Sequence, residues 1–346
     1  MPDSMLPSLA TSQPPKADVL VIGLGPAGIS AARVLARGGA RVLAVDRREL
    51  PLDKACAGGL TNRCCQILGY SSAEPWSFSR RCVELEVRAG AKTKVLRSTE
   101  AAVVTVDRPQ LTRLLLEELR DLGVIVRLGD MALPGDFGAI AACDGATSRT
   151  RRALKLPTAA GSAALQLRLA DSTAQKAGLK GTRCVVWFDP DLWGSGYAWS
   201  FPAPGEVRLG CGVPLSAKGG LRRRFEKFLA SLGLSIDSGR LEAGLVGTRY
   251  CGHRFGKFHL AGDAAGLASP LTGEGIYQAL VSGAEVAREI LEPGYFSPII
   301  ADLATRHRRT LGVLEHSGAA ALLYPWAPFL LRLGPIARLT EQKYLN

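Results

Sequence analysis

The chain is 346 residues long, 47% hydrophobic and 21% charged, a balance that suits a globular protein with room for two domains and excludes a disordered chain. Its net charge is +12, with basic residues scattered and aromatics at 6%; this argues for a solvated surface, an anionic substrate or an anionic membrane face, and against nucleic acid. Eight cysteines at irregular spacing, with neither a CxxC pair nor a Cys/His zinc pattern, read as reduced cytoplasmic thiols and not as a metal site.

Residues 1–16, MPDSMLPSLATSQPPK, lack the basic and apolar runs of a secretory leader and read as a disordered lead-in. No run of about eighteen apolar residues follows, so no spanning helix is expected. The next stretch parses closely. Val19–Ile22 form a β-rich run, Gly23-Leu24-Gly25-Pro26-Ala27-Gly28 a turn, Ile29–Arg37 a helix ended by Gly38-Gly39, and Arg41–Val45 a second strand closing on Asp46. A GxGxxG between strand and helix, with an acid 18 residues after Gly28, predicts a dinucleotide site. Gly23 permits the tight turn, Gly25 lets the backbone approach a pyrophosphate, and Gly28 lets helix pack on strand. The free N–H groups at the helix N-terminus, beside Pro26 and Ala27, would face the phosphates. Asp46 would accept hydrogen bonds from ribose hydroxyls, with Arg47 beside it.

Lys54-Ala55-Cys56-Ala57-Gly58-Gly59 follows, a thiol among small residues that let a backbone approach something flat. Residues 82–106 alternate as β-hairpins do, and Asp107-Arg108 lead into a helix, Pro109–Asp121. GVIVRLGD reads as a further strand, and Cys143-Asp144-Gly145-Ala146-Thr147-Ser148 as a turn after another. Residues 161–250 mix alternating strands and loops around one basic helix, Leu221–Leu232. Within them Tyr197, Trp199 and Phe201 should share one face of a strand, with Ala198 and Ser200 on the other; Trp187, Phe188 and Trp193 would extend the same apolar surface. Phe258–Leu260 form a strand followed by Gly262-Asp263 and then by Gly273-Glu274-Gly275-Ile276 at the start of a long helix. The tail, 318–339, is apolar but broken by Pro325, Pro328 and Pro335. It either caps the core or lies on a membrane with Trp326 and Arg332 at the interface.

The set GxGxxG, Asp107-Arg108, Cys143-Asp144-Gly145 and Ala261-Gly262-Asp263 occurs in the order found in flavoproteins of the para-hydroxybenzoate-hydroxylase-like fold, and resembles them over most of the chain. KACAGG, YAWSFP (197–202) and GDAAGLASPLTGEGI together resemble the geranylgeranyl reductase family. YAWSFP matches that family's Tyr-x-Trp-x-Phe-Pro element fully, whereas Ala57 interrupts its Cys-Gly-Gly element. The resemblance implies an α/β fold: a Rossmann-like FAD-binding domain from residues 17–75, 100–158 and 252–295, an intercalated, mostly antiparallel β substrate domain from 76–99 and 159–251, and a C-terminal helical segment, 296–346.

It further implies FAD as cofactor. Asp263 would meet the ribityl chain, Asp144 and Arg108 would lie near the FAD, Lys54 would add positive charge, and the helix behind Gly273, Gly275 and Ile276 would stabilise a reduced flavin. The implied reaction is reduction of carbon–carbon double bonds in a prenyl substrate by hydride from the reduced flavin, aided by a nearby acid. Cys56 either lines the pocket and assists proton delivery, packs structurally, or pairs with Cys64 or Cys65; Tyr197 and Trp199 are candidate active-site residues, Tyr197 as a proton donor. The rival readings are a flavin monooxygenase of the same fold and an electron-transfer flavoprotein. The chain has no second GxGxxG, so the electron donor is a visiting NAD(P)H or a ferredoxin-like carrier. A cytoplasmic location is expected, with peripheral membrane contact left open.

Overall fold

A computed structural model describes residues 17–50, 54–70, 76–97, 103–130, 137–179, 183–217 and 220–316; the lead-in and the apolar tail lie outside them. The N-terminal βαβ unit is β1 (Val19–Ile22), α1 (Pro26–Arg37) and β2 (Val42–Asp46). Its strands carry apolar residues on both faces because helices or other chain cover both, and β1 pairs in parallel with β2 from Val19–Val42 to Ile22–Val45. Pro26 opens α1, three residues earlier than the sequence suggests, at a position where its missing N–H costs nothing.

Next come β3 (Gly59–Leu60), α2 (Asn62–Leu68), β4 (Ser79–Cys82), β5 (Glu84–Ala89), β6 (Lys92–Arg97) and β7 (Val103–Val106). α3 (Arg108–Asp121) is capped by Asp107, whose side chain accepts the Gln110 N–H. β8 (Ile125–Leu128), β9 (Ala139–Ala142) and α4 (Arg149–Ala153) follow, then β10 (Ala160–Ala170), α5 (Asp171–Lys176), β11 (Arg183–Phe188), α6 (Pro190–Trp193), β12 (Tyr197–Ala203), β13 (Glu206–Pro214), α7 (Leu221–Ser231) and β14 (Arg240–Gly247). The described chain ends with β15 (Arg254–Phe255), β16 (Phe258–Leu260), α8 (Ile276–Leu291) and α9 (Pro298–His316).

Three sheets result. The first has the order β15-β16-β9-β1-β2-β8 and is parallel except at β15–β16. The strand order reverses about β1, where the crevice at the strand C-termini binds ligands in folds of this type. The second, β14-β10-β13-β12-β11-β5-β6, is antiparallel except where β11 runs alongside β5. The third is the small β3-β7-β4 sheet.

Cores match the sheets. Val21, Leu24, Ile29, Leu35, Leu116 and Leu260 belong to a buried cluster around the first sheet. One face of the second sheet is closed by α7, whose Phe225, Phe228 and Leu229 pack with Leu167, Leu209 and Trp193. Its other face, carrying Trp199 and Phe201, turns toward the first sheet and lines a cavity. Among the described residues no helix is long and apolar enough to cross a membrane.

Candidate active site

The turn after β1, the 54–63 segment, the exposed face of the second sheet and the 270–276 loop enclose one cavity of about 1200 Å³. That exceeds the roughly 300–1,000 Å³ of a single drug-sized site, so a cofactor and a second ligand fit side by side.

Glycines shape its nucleotide end. Gly23 has φ +92°, and a Cβ on Gly28 would overlap the Gly23 carbonyl oxygen and approach Cys143 Cβ to 3.3 Å. At Gly25, by contrast, a Cβ would meet nothing within 4 Å, so bare backbone faces the cavity. Pro26 and Ala27 complete this lip, at the N-terminus of α1. Asp46 is nearly buried at the end of β2. Its Oδ2 accepts the Leu24 N–H (2.9 Å) and its Oδ1 the N–H of Arg48 (3.0 Å), so the carboxylate braces the glycine turn as well as lining the cavity. Arg47, Arg48, Arg108 and Arg149 line the same end, a positive rim suited to a pyrophosphate.

Asp144 supplies the sharpest fit test. Its Oδ2 accepts the N–H groups of Arg149 (2.8 Å) and Thr150 (3.1 Å) and the Thr150 hydroxyl (3.2 Å). Its Oδ1 is buried and has no partner among the described residues. A buried acceptor left unpaired costs about 1–3 kcal/mol, and this one belongs to a residue of the cavity wall, where a ligand hydroxyl or N–H would satisfy it.

Across the cavity, Gly262-Asp263 form a turn after β16, with Gly262 at φ +57°. The Gly262 N–H donates to Ser282 Oγ (2.9 Å) on α8. Asp263 Oδ2 pairs with Lys54 Nζ at 2.7 Å, clipping the 54–59 segment to the GD turn. Gly273, Gly275 and Ile276 line the wall where the sixteen-residue α8 begins. A Cβ on Gly275 would stand 3.3 Å from Asp263 Oδ1, so its absence keeps that carboxylate open.

The apolar end is built on β12. Tyr197, Trp199 and Phe201 share the cavity face, as alternation along the strand predicts. The Tyr197 and Trp199 ring centroids are 5.7 Å apart, and Phe188 lies 5.7 Å from Tyr197. The indole of Trp199 lies over its register partner Gly210, where a Cβ would overlap it, and a Cβ on Gly212 would stand 3.6 Å from it. Its Nε1 donates to Gln166 Oε1 (3.3 Å). The Tyr197 hydroxyl donates to the Thr272 carbonyl, which ties the aromatic wall to the 270–276 loop. The placement of Trp187 and Trp193 is corrected. Each packs edge-on against Phe228 at 5.4 Å, behind the sheet, because Trp187 pairs with Ala198 and not with an aromatic position.

Cys56 is half-buried in the cavity wall, its Sγ accepting the Gly58 N–H at 3.4 Å. Gly58 (φ +71°) and Gly59 permit two close approaches: a Cβ on Gly58 would overlap Arg208 Nη1, and one on Gly59 would stand 3.0 Å from Phe201 Cε2. All eight cysteines are free thiols. Burial pushes Cys64 up to about 12 and Cys65 up to about 11, so both stay protonated and unreactive at neutral pH; the proposed pairing with Cys56 is not formed.

Four contributors were not predicted from the sequence. Arg208, Gln166 and Ser282 hold the site from beneath, and nothing local in sequence marks them. Glu274 lines the cavity between Gly273 and Gly275, and burial raises its carboxyl above the ordinary carboxylate range while Arg63 draws it back. An ionisable residue flanked by glycines at a helix start was the signal available.

The profile of a family described as "FAD binding domain" matches residues 16–133. The chain is 31% identical to digeranylgeranylglycerophospholipid reductase 1 of Methanopyrus kandleri, over 80% of this chain and 81% of that protein. It is 29% identical to a menaquinone reductase of Mycolicibacterium smegmatis, over 93% and 88%. A geranylgeranyl bacteriochlorophyll reductase-like structure from Thermoplasma acidophilum superposes with a TM-score of 0.69 at 21% identity, covering 94% of this chain and 92% of that one. FAD is the cofactor, and the glycine lip, the positive rim and the unpaired Asp144 oxygen fit it.

Proposed function

The chain belongs to the geranylgeranyl reductase family of FAD-dependent oxidoreductases, and from that premise we propose that it saturates carbon–carbon double bonds of a prenyl chain. The carrying observation is the aromatic wall of Tyr197, Trp199 and Phe201, which opens into the same cavity as the FAD cradle. Ala163, Ala164, Val213, Leu245 and Val246 continue that wall, and a long apolar chain gains about 25 cal/mol for each Å² it buries there.

In this reading FAD is held by Gly23, Gly25, Pro26, Ala27, Gly28, Asp46 and Arg47 at its nucleotide end and by Arg108 and Asp144 beside it. Lys54, Gly262, Asp263, Gly273, Gly275 and Ile276 hold the flavin end. Bound FAD, once reduced, supplies hydride. The N-terminus of α8 would stabilise negative charge on the reduced cofactor, and the Lys54–Asp263 pair would hold that end of the site in place. Cys56 shapes the pocket where the two halves meet, and the aromatic wall orients the alkene and keeps water away. An isolated alkene accepts hydride poorly, so positioning and a proton source lower the barrier together. The seven-stranded sheet serves as the substrate domain, and the electron donor is NAD(P)H or an acidic ferredoxin-like carrier drawn to the positive surface.

The test is mass spectrometry of a geranylgeranyl phospholipid or diphosphate after anaerobic incubation with chemically reduced protein. Gain of hydrogen pairs is expected. An unchanged prenyl chain, with oxygen incorporated into an aromatic substrate in air, would replace this reading with a monooxygenase.

A further inference from the structure

Glu274 is the single ionisable residue in the loop from Pro270 to Ile276, and it is among the residues that line the cavity with Cys56, Tyr197, Trp199 and Asp263. Its position is fixed by backbone: its N–H donates to Thr272 Oγ1 (3.3 Å) and its carbonyl accepts the Ser269 N–H (2.8 Å). The loop is in turn pinned to the aromatic wall. Tyr197 Oη bonds the Thr272 carbonyl, and a Cβ on Gly273 would stand 3.5 Å from that same oxygen. No hydrogen bond or ion pair engages the Glu274 carboxyl among the described residues.

The half-buried Cys56 thiol shares this cavity, and the remaining proton sources nearby are occupied or shut away. The Tyr197 hydroxyl donates a hydrogen bond to the Thr272 carbonyl, Lys54 is paired with Asp263, and Cys64 and Cys65 are buried. We propose that Glu274 is the acid that delivers the proton to the prenyl double bond, an assignment that rests on the prenyl-reductase reading above. Its O–H bond breaks as the alkene π pair forms a C–H bond at one carbon. The other carbon receives hydride, with its electron pair, from the reduced cofactor, and the carboxylate left behind regains a proton from water.

The electrostatics suit the role. Burial favours the neutral acid, while the positive N-terminus of α8 and the Arg63 guanidinium, which lies 5.8 Å over the Tyr277 ring, stabilise the carboxylate that proton transfer leaves. The charged and titratable groups around it are Arg63 and Cys64 from α2, the paired Lys54 and Asp263, Tyr197 from β12 and Tyr277 from α8. Such opposition places an acid nearer its working pH, where general acid catalysis gains most.

The experiment uses full-length, FAD-loaded Glu274→Gln and Glu274→Asp proteins in anaerobic single turnovers with geranylgeranyl diphosphate across a pH series. Infrared titration of the protonated-carboxyl band is run alongside, as wild type minus the Gln variant. Turnover should fall about 10²–10⁴-fold in the Gln protein, with its alkaline limb lost and FAD content unchanged, and should recover in part with Asp. The infrared band should belong to Glu274 and titrate above the ordinary carboxylate range. A Gln variant that turns over like wild type, or a Glu274 carboxyl already ionised at acidic pH, would overturn the assignment. Should the Gln protein lose FAD, the Asp variant decides: an FAD-loaded Glu274→Asp protein with the turnover and pH profile of wild type would overturn the assignment. Wild-type protein that reduces no prenyl substrate would defeat the prenyl-reductase reading, and this assignment with it.

Discussion

Gly58 and Gly69 make a matched pair for testing how the Cys56 segment is held. Both have positive φ, +71° and +78°, so alanine at either carries the same left-handed backbone strain of about 1–2 kcal/mol. Only Gly58 has neighbours. A Cβ there would overlap Arg208 Nη1 and stand 2.9 Å from the Val106 carbonyl oxygen, whereas at Gly69 it meets nothing within 4 Å. Arg208 cannot easily yield. It is 3% exposed, donates to the Val106 carbonyl at 2.9 Å and is paired with Glu206 at 2.9 Å. Forcing an extra methyl into such a site costs about 1–3 kcal/mol. Gly58→Ala should therefore be less stable than Gly69→Ala by about that amount in urea unfolding. A double-mutant cycle sharpens the test, because Arg208→Ala removes the obstacle and the pair should cost less than the sum of its singles. Equal stabilities for Gly58→Ala and Gly69→Ala, or strict additivity with Arg208→Ala, would refute the packing argument.

Asp263→Ala removes a proposed FAD contact and leaves Lys54 without its carboxylate; the purified protein should carry substoichiometric flavin by absorbance. Cys56→Ser should slow prenyl reduction with FAD retained, and unchanged turnover would reduce the thiol to packing. Ser282→Ala strips the acceptor from the buried Gly262 N–H and should cost about 1–3 kcal/mol in denaturant unfolding. Burial lowers the folded-state values of His259 and His307 below 6.5. Their stabilising effect is thus complete above pH 6.5 and lost as pH falls through and below that value, because the unfolded chain then binds the extra protons. Urea midpoints should drop across that range, and His307→Gln should flatten the drop.

The glycine turn and its acidic neighbour were legible because their geometry is local. Gly23, Gly25 and Gly28 are fixed by one turn and Asp46 by the strand that follows, so spacing alone places them. Tyr197, Trp199 and Phe201 were legible for the same reason, since alternation on one strand sets their common face. Trp187 and Trp193 were misplaced because the face each takes depends on strand register and on α7, which arrives later in the chain. Glu274 was quoted in its motif and passed over: its importance lies in what surrounds it, Arg63 and Tyr197 above all, and those neighbours come from distant parts of the sequence. The tie from Tyr197 to the loop has the same origin, for its partner Thr272 is 75 residues away.

The packing of α1 against α8 bears on the order in which the protein acquires its shape. Ser30 Oγ bonds the Leu280 carbonyl across 250 residues of sequence, and a Cβ on Gly283 would overlap the Ala27 carbonyl. The helix that carries the dinucleotide fingerprint therefore leaves the ribosome long before the surface that seats it. Contacts of such separation are closed late and slowly, and at the pace of synthesis, about 5–20 residues per second, the fingerprint waits many seconds for its partner. A nascent chain ending before Ile276 holds every residue of the GxGxxG turn and lacks the helix that packs against α1.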